Sequence, residues 1–77
     1  MIRVELKANG SVEAITRLTN IAHQRGFTVR VEDPGLATGS GRIEIEFPYL
    51  DEQNEAHAAA RALIGEVPGG SEFFAIV

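Results

Sequence analysis

"ANGSVEAITRLTNIAHQRGFTV", residues 8–29, decides how the rest of the chain is read. It opens on a short polar turn. From Val12 the apolar residues Val12, Ile15, Leu18, Ile21 and Ala22 recur at helical spacing and form one stripe. Ser11 stands where a hydroxyl can accept a hydrogen bond from the first helical turn, and Glu13 places a negative charge at the positive end of the helix dipole. Arg25-Gly26 closes the helix, with Gly26 free to take the left-handed conformation just beyond the last turn. Phe27, Val29 and Val31 then alternate with Thr28, Arg30 and Glu32, so the period drops to two and a strand follows at once.

The same switch of period is found on either side. Upstream, Ile2, Val4 and Leu6 alternate with Arg3, Glu5 and Lys7, a half-buried strand over residues 2–7. Downstream, "EDPGLATGSG" is turn chemistry. Ile43, Ile45 and Phe47 then alternate with Arg42, Glu44 and Glu46, and Pro48 ends that strand. A second helix reads "DEQNEAHAAARALIG", with Asp51 as its N-cap, Ala56, Ala59, Ala60, Leu63 and Ile64 on its inner face, and Gly65 as its stop. "EVPGGS" reads as a loop and "EFFAIV" as a final strand.

The expected order is therefore β-α-β-β-α-β in one domain covering residues 1–77. Right-handed crossovers put both helices on one face of a four-stranded antiparallel sheet with strand order 4-1-3-2, the ferredoxin-like arrangement of the α+β class. Val4, Leu6, Ile15, Leu18, Phe27, Val29, Ile43, Ile45 and Leu63 are the expected core.

Composition narrows the function. A chain of 77 residues has a thin core, and without cysteine no disulfide or thiolate metal site reinforces it. Association with a second chain is the remaining source of burial, which points to a homodimer. With 7 Lys and Arg against 11 Asp and Glu, the net charge is −4 and no basic cluster suits a nucleic acid. No apolar run approaches the ~18 residues of a membrane span, and the charged "MIRVELK" is unlike a signal peptide, so a cytoplasmic location is expected.

Little here resembles catalytic machinery. His23 and His57 lie on different helices and read as surface residues. The acidic run "DEQNE" reads as the negative first turn of a helix. "GLATGSG" lies between two strands, whereas a phosphate cradle opens a helix. "ANGS" does open a helix, and the unpaired N–H groups of that first turn attract carboxylates. No metal, cofactor or catalytic set is expected.

"SVEAITRLTNIAHQRGFTV" resembles the start of ACT domains, most closely the small regulatory subunits of acetolactate synthase. There a strand leads through a short turn into a helix with Leu/Ile/Val spacing, which ends in Arg-Gly-Phe or Arg-Gly-Tyr before the next strand. Ile15, Leu18, Ile21 and Ala22 supply the spacing here, Arg25-Gly26-Phe27 the ending, and "RIEIEF" resembles the third strand. Many ACT domains open this helix with Pro-Gly, where this chain has Val12-Glu13. The resemblance implies a non-catalytic regulatory module that binds a small, branched-chain amino acid and modulates a biosynthetic enzyme such as acetolactate synthase, with a large catalytic subunit as partner. It also implies that Asn9, Gly10, Ser11 and Val12 hold the ligand where two chains meet. Two other readings compete: a ligand-free structural or interaction protein of the same fold acting through its sheet edge or outer face, and a small enzyme on that fold.

Overall fold

A computed structural model describes residues 1–9, 11–31 and 41–77. In chain order the elements are β1 (Ile2–Ala8), α1 (Val12–Gln24), β2 (Thr28–Val31), β3 (Gly41–Phe47), α2 (Gln53–Glu66), α3 (Gly70–Phe73) and β4 (Phe74–Ile76). The strands make one antiparallel sheet in the order β2-β3-β1-β4, which is the expected 4-1-3-2 seen from the opposite edge. The fold is α+β. The proposed turn over residues 32–40 and the position of Gly10 lie outside the described residues.

Register explains the core. Val4 pairs with Ile45, which pairs in turn with Val29, while Leu6 lies between Ile43 and Ile76. One face of the sheet is thus apolar across its width, and Val4, Leu6, Ala8, Ile43, Ile45 and Phe47 are buried there. Ala14, Ile15, Leu18 and Ala22 of α1 and Ala56, Ala60, Leu63 and Ile64 of α2 complete the same cluster. Phe27 packs its ring against that of Phe47, edge to face, at 4.6 Å between centroids.

The opposite face carries charge. Glu5 stands opposite Glu44, and Lys7 opposite Arg42, which brings like charges together. Opposite charges nearby relieve this: diagonally, the Arg42 guanidinium donates to Glu5 at 2.9 Å and Arg3 lies 3.4 Å from Glu44, and directly across the ladder Arg3 lies 3.1 Å from Glu46. Exposed pairs of this kind contribute about 0–1 kcal/mol each.

The helix α1 closes as its sequence requires. Gly26 has φ +81°, its N–H donates to the carbonyl of His23, and the N–H of Phe27 donates to that of Ala22, the two bonds of a Schellman motif. Several other expectations are corrected. Val12, the first residue of α1, is 50% exposed and lies outside the buried stripe of Ala14, Ile15, Leu18 and Ala22. Phe27 and Val29 lie on the edge side of the core and are only half-buried.

Asp51 does not cap α2. It lies 3.7 Å from the Met1 amino group, and Glu52 occupies the cap position, with its carbonyl accepting from Ala56. Nor does Gly65 stop that helix, which runs to Glu66. The stop is Pro68, which excludes helical backbone from Val67, and Val67 is extended.

"EVPGGS" is not simply a loop, since its last residues enter α3. Gly69, with φ +70°, turns the chain, and Gly70 packs so closely on α2 that a Cβ there would stand 2.0 Å from the carbonyl oxygen of Ile64. The final strand is correspondingly shorter than expected and begins at Phe74.

Candidate functional site

Ser11 is extended, at φ −144° and ψ 106°, and its hydroxyl oxygen accepts from the N–H of Ala14 at 3.0 Å. Its carbonyl accepts from Ile15 at 3.2 Å. The helix therefore satisfies two of its first four donors itself. The N–H groups of Val12 and Glu13 have no partner within the helix, as at any helix start.

Beside this first turn lies a depression of about 210 Å³ lined by Ser11, Glu13, Ala14, Arg17, Pro68 and Phe73. Glu13 and Arg17, one turn apart, form an ion pair at 2.8 Å on its wall. The depression is smaller than the ~300–1,000 Å³ typical of drug-sized ligands, so it suits a molecule of few heavy atoms.

Asn9 lies on the other side of Phe73. Its backbone N–H donates to the carbonyl of Phe73 at 2.8 Å, which ties the end of β1 to the start of β4. It lines a second depression, of about 230 Å³, together with Lys7, Ser71, Glu72, Phe73, Phe74 and Ala75. The expected ligand residues are thus divided: Ser11 borders the first depression, Asn9 the second, and Val12 lines neither. Gly10 lies outside the described residues. The Ser11 oxygen accepts from Ala14, and its O–H remains able to donate toward a ligand carboxylate.

Arg17, Pro68 and Phe73 join the site without having been read from the sequence. Arg17 was detectable, since it follows Glu13 by four residues and shares its helical face. Pro68 and Phe73 arrive from residues far along the chain, and no local pattern places them beside α1.

The histidines stay apart from this region. His23 is exposed in the last turn of α1, and the His57 ring nitrogen lies 3.1 Å from the Gln53 side-chain amide. Among the described residues no three His, Asp or Glu side chains gather as metal ligands, and no helix is long and apolar enough to cross a membrane. No family model matches the chain, and neither a curated protein nor a solved structure does.

Proposed function

We propose that this chain is a non-catalytic regulatory module of ferredoxin-like, ACT-like architecture. It binds a small amino acid at the first turn of α1 and modulates a biosynthetic enzyme, with acetolactate synthase the leading candidate. The depression beside that turn is the observation that carries the reading. Its wall holds a carboxylate and a guanidinium 2.8 Å apart. A simple anion meets Glu13 there and a simple cation meets Arg17, whereas a zwitterion satisfies both. The α-carboxylate is received by the Glu13 N–H, the Ser11 hydroxyl and Arg17, and the ammonium group by the Glu13 carboxylate, while Asn9 lines the neighbouring depression across Phe73. Phe73 and Pro68 supply the apolar wall, which favours valine, leucine or isoleucine over glycine.

The helix dipole contributes about 0.3–1 kcal/mol to an exposed carboxylate and up to ~2 to a partly buried one. That is too little to hold an amino acid, so a second chain must enclose its side chain, at about 0.8 kcal/mol per buried CH₂. Calorimetry and thermal shift with valine, leucine, isoleucine and glycine test this. A branched-chain ligand at a hundredfold excess over Kd stabilises the fold by about 2.7 kcal/mol. Arg17→Ala removes the effect, and glycine gives little. No heat and no shift with any of the four overturns the ligand reading. The competing reading, an interaction protein without a ligand, is favoured by the uncharged edge of β4.

A further inference from the structure

The backbone of β4 presents a self-matching edge. The N–H of Val77 donates to Glu5 at 3.0 Å, and the carbonyl of Phe73 accepts from Asn9 at 2.8 Å. Ala75 stands opposite Lys7 between them. Because antiparallel ladders alternate, the N–H and C=O groups of Phe74 and Ile76 are turned away from β1. The Phe74 N–H donates to the carbonyl of Gly70, which leaves the Phe74 carbonyl and both groups of Ile76 for the side where the sheet ends. No charged side chain lies between Phe73 and Val77, whereas β2, the other edge, carries Arg30. Native sheets guard free edges with charge, and this one is unguarded. A groove of about 320 Å³ runs beneath it, lined by Arg61, Ile64, Gly65, Ser71, Phe74 and Ile76.

We infer that two copies of this chain join edge to edge through β4, as antiparallel neighbours about a two-fold axis at Ala75. This register sets Phe74 of each copy opposite Ile76 of the other, so the Ile76 N–H of each donates to the Phe74 carbonyl of the other, while the Phe74 N–H stays with Gly70. Ala75 meets its own counterpart on the outer face, where it is exposed and its methyl leaves room for close approach. Charge fits as well. Arg61 lines the groove, Glu72 directly precedes Phe73 at the head of β4, and neither makes an ion pair among the described residues. The crossover helix α2 runs opposite to β4, and helical side chains lean toward their helix N-terminus. Arg61 therefore reaches toward the far end of β4, where the two-fold axis brings Glu72 of the second copy. The contact occurs twice. The product is a closed dimer whose remaining sheet edges are the β2 strands.

Ala75→Cys tests the register in the full chain. The sequence holds no cysteine, so any disulfide in this variant is between chains. A directly opposed, non-hydrogen-bonded antiparallel pair has Cα atoms about 4.5 Å apart, within disulfide reach. Under mild oxidation Ala75→Cys is expected to cross-link nearly completely, and Lys7→Cys, one strand inward, hardly at all. In sedimentation the unaltered chain is a dimer. Arg61→Glu and Glu72→Arg each raise its Kd about tenfold, or ~1.4 kcal/mol, and the double exchange restores it. A monomer at every concentration overturns the proposal. So does a dimer in which Ala75→Cys cross-links no faster than Lys7→Cys, because its contact lies on another surface. No amino acid enters these measurements, so their failure leaves the ligand reading standing.

Discussion

Gly70→Ala is the sharpest test of how α3 is packed. The added Cβ would stand 2.0 Å from the carbonyl oxygen of Ile64, 3.0 Å from its carbonyl carbon and 3.2 Å from its Cγ2. The first two are backbone atoms and cannot swing aside. That same carbonyl accepts from the N–H of Val67 at 3.2 Å, so moving it disrupts the last bond of α2. Overpacking costs about 1–3 kcal/mol and a lost hydrogen bond about 0.5–1.5, which gives roughly 2–4 kcal/mol together. At about 4–8 °C per kcal/mol for a domain of this size, Tm falls by roughly 10–30 °C. Gly65→Ala is the control. Gly65 lies inside α2, and a Cβ there has no neighbour within 4 Å. The same methyl should stabilise at that position by about 0.5–1 kcal/mol through helix propensity. Urea unfolding of both variants, at a concentration where they sediment alike, reads the difference. A Gly70→Ala protein as stable as Gly65→Ala refutes the close approach of α3 to α2.

Leu18 is fully buried, and Leu18→Ala should cost about 2–5 kcal/mol, out of a total of roughly 4–12 for this chain length; an unchanged melting temperature contradicts the orientation of α1. Ser11→Ala removes the acceptor for the Ala14 N–H and should cost about 1 kcal/mol, while Ser11→Gly costs only a few tenths. Equal losses in denaturant unfolding would show that the hydroxyl does not act as a cap. Gly26→Ala forces an L side chain to φ +81° and should lose about 1–2 kcal/mol, measured in the same way.

Which features were legible in the sequence follows from the range of the forces involved. The start of α1 at Ser11 and its end at Gly26 rest on hydrogen bonds within a few residues, and the letters specify both. The strand order follows from period and crossover handedness. At α2 the local signal misled: Asp51 is as good a cap by type, but the chain places it against the Met1 amino group and starts the helix one residue later. Pro-Gly-Gly reads as a loop, and only the nearness of Ile64 shows why the second glycine enters a helical turn. The candidate site divides in the same way. Ser11 was accessible as a helix start, whereas Phe73 and Pro68 reach it through tertiary packing that no spacing encodes.

The placement of β1 between β3 and β4 has a consequence for synthesis. Of these four strands, the first to leave a ribosome becomes an inner strand of the finished sheet. Its first partner, β3, begins some thirty residues later, and its second, β4, only at residue 74. At about 5–20 residues per second, β1 waits roughly two seconds or more for its first neighbour and longer for its second. Through that interval Val4 and Leu6 can lie against the apolar stripe of α1, while β2, which pairs with β3 and not with β1, offers them no ladder. A nascent-chain crosslinker placed in β1 should therefore capture α1 or a chaperone before it captures any strand.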